Sequence, residues 1–169
     1  MSTEEKIAFL ERLKERARVS SNILQRFDDF EIFSIAPVLR VFRSCSNDSL
    51  SRILLCNAVN AYYHENENDI GVYARFKIDA LESQEIQRES FFDSLCNFAQ
   101  MQYPDFQVHP KKKNGYTPLS ATELGQADNI TLVKKRPLTE MVTIESRIEY
   151  LIETCCEVSD ALDAFCNIR

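Results

Sequence analysis

A regular row of apolar residues near the end of the chain constrains its fold more than any other feature. Eight positions alternate steps of three and four residues: Met141, Ile144, Ile148, Leu151, Cys155, Val158, Leu162 and Phe165. That spacing places all of them on one face of an α-helix, over more than three heptads. We therefore predict a long final helix whose apolar seam packs against a neighbouring helix. The same seam could instead pack between two protomers, so a homodimer stays open.

The face opposite this seam is acidic. We call it the acidic ridge, and it consists of Glu145, Glu149, Glu153, Glu157 and Asp160. Arg147 is the single basic residue between Leu138 and Ile168. Basic residues of the same helix therefore do little to offset the repulsion between acidic residues four positions apart. Each such pair costs a helix about 0.2–0.5 kcal/mol. The ridge therefore favours a compensating surface elsewhere, in this protein or in a partner.

Helical patterns also cover most of the chain before residue 104. Ser2 and Glu5 have capping-box spacing ahead of a seam formed by Leu10, Leu13, Ala17, Ser20, Leu24 and Phe27. Apolar spacing predicts three further helices, over 31–44, from Ser46 to about 64, and over 83–102. The second of these should fray over His64 to Asp69, and Gly71 marks the break after it.

Residues 72–82 fit two patterns. Tyr73, Phe76, Ala80 and Leu81 suit a helix, whereas Val72, Ala74, Phe76 and Ile78 alternate as in a strand, and we prefer the helix. The fold predicted for residues 1–169 is therefore a single, mainly α domain. It is a bundle of five or six helices, of which the first and last are long.

Residues 104–138 differ from the rest in composition. They hold four of the five prolines, two of the three glycines and two basic trios, Lys111-Lys112-Lys113 and Lys134-Lys135-Arg136. Phe106–Val108 and Ile130–Val133 are strand-like, and Asn114-Gly115 has turn chemistry. We predict an irregular or two-stranded excursion between the last two helices. Within it, Ser120 and Glu123 have capping-box spacing for a short helical turn that Gly125 ends.

Charge is unevenly distributed along the chain. The net charge of −6 and the pI near 5.0 argue against a general attraction to nucleic acid or anionic membrane. Residues 104–138 contain six basic and three acidic residues, however, so the remainder is far more acidic than the average. Local basic patches can still meet a complementary partner.

The sequence predicts a cytoplasmic or nuclear protein without cofactor or metal. Met1 is followed by charged residues, and the chain contains neither a secretory apolar segment nor a run of about 18 apolar residues. Six cysteines then predict reduced thiols. No Cys-x-x-Cys pair occurs, and the adjacent Cys155 and Cys156 are interpreted as packing residues.

Motifs for catalysis are sparse. The glycines are too far apart for a phosphate-binding loop, no serine lies in a nucleophile elbow, and His64 is assigned no role. Glu82-Ser-Gln-Glu85 and Glu157-Val-Ser-Asp160 place two acids at i,i+3 on each of two predicted helices. This arrangement resembles the all-α nucleoside-triphosphate pyrophosphohydrolases of the MazG type, where such pairs hold magnesium. The resemblance covers eight residues and implies a magnesium-dependent enzyme, which is our second alternative.

The basic trios carry the preferred functional prediction. We predict a non-catalytic acidic module that binds another protein, such as an inhibitor, an immunity or antitoxin-like factor, or an assembly subunit. The predicted partner-binding residues are Lys111, Lys112, Lys113, Tyr116, Lys134, Lys135, Arg136, Glu149, Glu153 and Glu157. The first alternative is a nucleic-acid-binding accessory protein that uses both trios, with Tyr116 stacking on a base. A third interpretation is that the lysines neutralise the protein's own acidic helix.

Overall fold

The computed structural model describes residues 29–35, 38–44, 58–64, 69–113 and 118–167, and a few helical residues between Glu4 and Glu15. Helices pack on an antiparallel sheet in this part of the chain, which makes it an α+β fold. The predicted all-α bundle of five or six helices is therefore wrong. None of the described helices has the length and apolar composition needed to cross a bilayer.

Six strands form the sheet in the order β1-β2-β3-β4-β6-β5, and every neighbouring pair is antiparallel. Their bounds are Asp29–Ile35 (β1), Val38–Ser44 (β2), Ala58–His64 (β3), Asp69–Lys77 (β4), Gln107–Lys111 (β5) and Asn129–Pro137 (β6). The first four strands form a meander. Strand β6 lies between β4 and β5, so β4 and β5 run in the same direction on either side of it.

The helices come after this meander. Helix α1 covers Ile78–Ser83, α2 covers Arg88–Gln102 and α3 covers Ile144–Asn167. Two short 3-10 helices, Ala121–Gln126 and Leu138–Glu140, flank β6. The predicted helices over 83–102 and near the C-terminus are confirmed, although Ser83 ends α1 and does not begin α2.

Two predicted helices are wrong because their segments form strands. Residues 31–44 lie in β1 and β2, which pair with each other, and the segment from 58 to 64 is β3. These segments are rich in β-branched and aromatic residues such as Ile32, Val41 and Tyr62, which favour a pleated backbone. Their apolar spacing fits both periods, and pairing with neighbouring strands decides between them. Residues 46–57 and the apolar seam of the predicted first helix lie outside the described residues.

The preference for a helix over 72–82 is also wrong in its first half. Strand β4 runs to Lys77, and α1 begins at Ile78. Val72, Ala74 and Phe76 are fully buried, as the strand alternative requires. Gly71 pairs with Tyr62 and lies inside β4, so it does not mark a break.

Residues 104–138 are part of the main sheet and not an excursion from it. The strand-like run Ile130–Val133 lies within β6, and the other run lies in β5 except for Phe106, which precedes the strand. Strand β6 pairs along both edges. The capping box of Ser120 and Glu123 is present and starts the first 3-10 helix. That helix continues through Gly125 and ends at Gln126. Asn114 and Gly115 lie outside the described residues.

The core lies between the sheet and helices α2 and α3. Seven members of the predicted seam are at most 2% exposed: Met141, Ile148, Leu151, Cys155, Val158, Leu162 and Phe165. Phe165 packs against Phe76 of β4 and Phe91 of α2, with ring centroids 6.3 and 5.5 Å away. The seam is therefore buried against the protein's own sheet and is not available as the dimer surface that the sequence suggested. The oligomeric state itself stays a prediction.

Candidate functional site: a basic face of the sheet

The second basic trio is divided by the strand on which it lies. Successive side chains of a β-strand point to opposite faces of the sheet. Lys134 and Arg136 therefore share the face that α2 and α3 cover, together with the buried Leu132. Lys135 lies on the other face and is exposed. The three residues are adjacent in sequence, which predicts one patch, but the structure shows two separate environments.

Lys134 is held by the acidic ridge. Its Nζ atom lies 2.5 Å from Oε2 of Glu157 and 5.7 Å from the centre of the Phe106 ring. An ammonium near an aromatic face gains electrostatic attraction. Lys134 thus neutralises the protein's own last helix, which confirms the self-neutralising interpretation for this residue.

Arg136 is also occupied within the chain. Its Nε donates a hydrogen bond of 3.0 Å to Oε2 of Glu140, and its guanidinium carbon lies 5.4 Å from the centre of the Tyr150 ring. Burial raises the pKa of Tyr150 to about 12, so its hydroxyl is protonated at neutral pH. Lys134 and Arg136 therefore connect β6 to α3 and to the turn before it.

The opposite face of the sheet collects the remaining basic residues of β4, β5 and β6. We define the basic face as Arg75, Lys77, Lys111 and Lys135, with the rings of Tyr73 and His109. Directly paired residues of antiparallel strands share a face, and the register pairs Asn129 with both Lys77 and Lys111. Arg75, Lys77 and Lys135 are exposed, and the other three are half-buried.

Two polar contacts order the centre of this face. Arg75 donates a hydrogen bond of 3.2 Å to the Tyr73 hydroxyl, and its guanidinium carbon lies 5.5 Å from the centre of that ring. Nε2 of His109 lies 2.9 Å from Oε1 of Gln107. Between them, Thr131 and Val133 of β6 are buried, and each is flanked in register by longer residues of β4 and β5.

Positive charge near His109 affects the protonation of its imidazole. Partial burial, followed by the charges of Lys111 and Lys135, lowers the pKa of His109 below its ordinary value. Two ammonium groups therefore lie near this imidazole. An anion bound on the basic face would act in the opposite sense and stabilise the protonated ring.

The first basic trio continues the basic face past the end of β5. Lys112 and Lys113 are exposed, and the Lys113 N–H donates a bond of 2.9 Å to Oδ2 of Asp128. Hydrogen bonds from Ser120, and to a lesser degree the charge of Lys112, lower the pKa of Glu123. Two carboxylates thus lie close to this trio. Tyr116 lies outside the described residues.

Charge is layered across the sheet. The helices α1 to α3 contain ten acidic and two basic residues, whereas β4, β5 and β6 contain one acidic and six basic residues. All five members of the acidic ridge, including the predicted binding residues Glu149 and Glu153, are exposed on α3. Glu145 pairs with Arg12 at 3.1 Å. The helix layer is therefore acidic outside, and the far side of the sheet is basic.

The first carboxylate pair, Glu82 and Glu85, does not have the geometry that the pyrophosphohydrolase alternative requires. Glu82 accepts a 3.0 Å bond from Nε of Arg88. Glu85 lies beyond the end of α1 with a φ of 61°, so Glu82 and Glu85 do not share a helical face. Within the described residues, no group of three or more His, Cys, Asp or Glu side chains is arranged to hold a metal ion.

Sequence reasoning missed four members of the basic face: Tyr73, Arg75, Lys77 and His109. The signal was present in β4, where Tyr73, Arg75 and Lys77 alternate with Val72, Ala74 and Phe76. The helical interpretation dispersed these cations around a helix. Comparison of the chain with protein-family models, with curated proteins and with solved structures gives no match.

Proposed function

We propose that this chain is a non-catalytic binding module that holds an acidic segment of a partner protein on its basic face. The observation that carries the proposal is the shared position of Arg75, Lys77 and Lys135. All three are exposed on one side of the sheet, while Lys134 and Arg136 on the other side pair with the chain's own carboxylates.

The composition of the basic face suits such a partner. Local charge complementarity steers an oppositely charged surface and fixes its register even when the whole protein is acidic. Tyr73 and His109 add ring surface between the cations, and aromatic residues beside arginine are frequent in the energetic centre of protein interfaces. The acidic helix layer would repel the same partner, so binding is directed to one side of the molecule.

Two charge-reversal variants test this assignment. The face variant combines Arg75→Glu, Lys77→Glu and Lys135→Glu, and the loop variant combines Lys112→Glu and Lys113→Glu. The probe is a short fluorescent glutamate-rich peptide, followed by anisotropy in low salt. We expect the face variant to weaken binding at least about tenfold, equivalent to about 1.4 kcal/mol. The loop variant should lose about threefold or less, because nearby carboxylates already offset its charge.

Two results would overturn the proposal. One is a parent protein that does not bind the peptide in low salt. The other is a loop variant that loses as much affinity as the face variant. Circular dichroism of both variants checks that they are folded, since exposed substitutions usually change stability by less than about 0.5 kcal/mol each.

Single-stranded nucleic acid is the second candidate for the same face. The observation that favours it is the placement of Tyr73 and His109 among cations on a sheet, because bases stack on aromatic rings while basic residues contact phosphates. An oligo-dT probe separates the two candidates. Tighter binding of oligo-dT than of the peptide, with a steep loss between about 50 and about 200 mM salt, would favour nucleic acid.

A further inference from the structure

The basic face and the acidic ridge point in opposite directions. Helix α3 packs its apolar seam on the sheet face that contains Phe76, and the Phe76 and Phe165 ring centroids are 6.3 Å apart. The ridge lies opposite that seam and so faces away from the sheet, except at Glu157, which lies at the edge of the ridge and contacts Lys134 of β6. The basic face is on the other side of the same sheet. One molecule therefore presents complementary charges on two opposed surfaces.

The two surfaces also match in length. Lys135 pairs with Gly71, and Arg75 and Lys77 lie four and six residues further along β4. At about 3.3 Å per residue, these cations extend over about 20 Å. From Glu145 to Asp160 the ridge rises about 22 Å, at about 1.5 Å per residue of helix. A helix laid along β4 could thus set its carboxylates against the whole row of cations.

We infer that the acidic partner of the basic face is a second copy of this chain, which docks through the acidic ridge of its α3. This inference rests on the proposed function, because it names the partner of the same face. Charge complementarity and the matched lengths of the two surfaces are the reasons for choosing this partner.

The contact has consequences for assembly. It joins two different surfaces, so it is heterologous, and such contacts form rings when the rotation closes and open chains when it does not. The pairs of Arg12 with Glu145 and of Lys134 with Glu157 must be kept or exchanged on docking. Exchange is inexpensive because both carboxylates are exposed to solvent, and ion pairs at a protein surface contribute little to stability. Association should weaken as salt screens the charges.

Sedimentation velocity of the full chain in low salt tests the inference. The parent should form species larger than a dimer as its concentration rises, and these should dissociate in high salt. The face variant and a ridge variant, Glu149→Lys with Glu153→Lys, should each sediment as monomers. A mixture of the two should associate again, because the intact basic face of one meets the intact ridge of the other and the two charge-reversed surfaces also complement each other.

A control variant tests whether reversing acidic charges outside the ridge also changes association. Glu89 and Asp93 are exposed acids on α2, outside the ridge, and Glu89→Lys with Asp93→Lys should leave the association of the parent unchanged. Should the ridge variant fail to fold, Glu149→Gln with Glu153→Gln replaces it. These substitutions should raise the protein concentration needed for association at least about tenfold.

Three outcomes would overturn the inference: a parent that stays monomeric in low salt, ridge variants that associate like the parent, or an α2 control that abolishes association. A monomeric parent that still binds the glutamate-rich peptide would remove the second copy as the partner and leave the proposed function standing. A monomeric parent that does not bind the peptide would remove both.

Discussion

Basic residues on the two sides of the sheet have different surroundings. On the side covered by helices, Lys134 and Arg136 contact carboxylates and aromatic rings of the same chain. On the other side, Arg75 contacts the ring of Tyr73, and Lys77 and Lys135 are exposed. Adjacent residues of β6 thus have separate roles. Lys134 connects the strand to α3, and Lys135 is available to a partner.

This difference shows why a run of basic residues in the sequence does not by itself define a binding surface. Lys134, Lys135 and Arg136 look like one patch in sequence, but the pleat of β6 sends Lys135 to one side and its neighbours to the other. Residues that are distant in sequence, such as Arg75 and Lys135, then share a face. The unit that a partner meets is defined by strand register.

The largest expected effect separates the core from the basic face. Phe165→Ala should lower the free energy of unfolding by about 3–5 kcal/mol, because it empties a fully buried site among Phe76, Phe91 and Phe98. Tyr73→Ala on the half-buried face should cost about 1 kcal/mol. Urea denaturation measures both. Equal losses would mean that the two sides contribute alike to stability.

Arg88 tests whether helix-side cations hold the fold. Its Nη1 donates to the carbonyl oxygens of Leu124, Gly125 and Ala127 at 3.2–3.3 Å, and so anchors the connection between β5 and β6. Arg88→Ala should destabilise the protein by about 1–3 kcal/mol, since carbonyls lose charged donors.

Hydrogen exchange can localise the effect of this substitution. The amides of residues 121–127 should exchange faster in Arg88→Ala, while Arg75→Ala should leave them unchanged and cost about 0.5 kcal/mol or less. Equal effects of the two substitutions would contradict the distinction between the two sides.

The neighbouring lysines of β6 provide a smaller but closely matched comparison. Lys134→Met removes the contacts with Glu157 and Phe106 and should cost about 1 kcal/mol. Lys135→Met should change the free energy of unfolding by less than about 0.5 kcal/mol, because this side chain is exposed. Thermal and urea unfolding of the two variants give the comparison. A larger loss for Lys135→Met would reverse the assignment of the two residues.

The smallest effect concerns the titration of His109. Because burial and the charges of Lys111 and Lys135 lower its pKa below 6.5, His109 binds its proton less readily in the folded than in the unfolded chain. Its contribution to stability is therefore complete above pH 6.5 and is lost as the pH falls through the folded pKa. Lys135→Met should raise the pKa of His109, and Lys134→Met should not. Proton NMR of the imidazole, assigned with His109→Gln, measures both shifts.

Local signals predicted the C-terminal half of the helix layer well. The seam of α3 and the capping box at Ser120 depend on residues within a few turns of one another, so the sequence contains all that is needed. Residues 31–44 were assigned to a helix because Phe33, Val38 and Phe42 have helical spacing as well as strand character. Their structure depends on the pairing of β1 with β2 and of β2 with β3, and the periodicity of one segment does not show this pairing.

The candidate site was predicted only in part for the same reason. Lys111 and Lys135 were named as binding residues, but the helical interpretation of 72–77 hid Arg75 and Lys77. Lys134 and Arg136 were named with them, although they face the helices. The acidic ridge was placed correctly because helical periodicity alone defines it. The register of β4 with β6 brings the cations together, and it could not be predicted from the residue pattern of either segment alone.

The affinity of the glutamate-rich peptide for the Lys134→Met and Lys135→Met variants shows directly on which side of the sheet an acidic partner binds. Both substitutions remove one positive charge from adjacent positions of β6, so any difference reports the side of the sheet and not the net charge. We predict that Lys135→Met weakens binding about three- to tenfold, or about 0.6–1.4 kcal/mol, while Lys134→Met leaves the affinity unchanged within about twofold. Equal losses, or a larger loss for Lys134→Met, would contradict binding on the basic face.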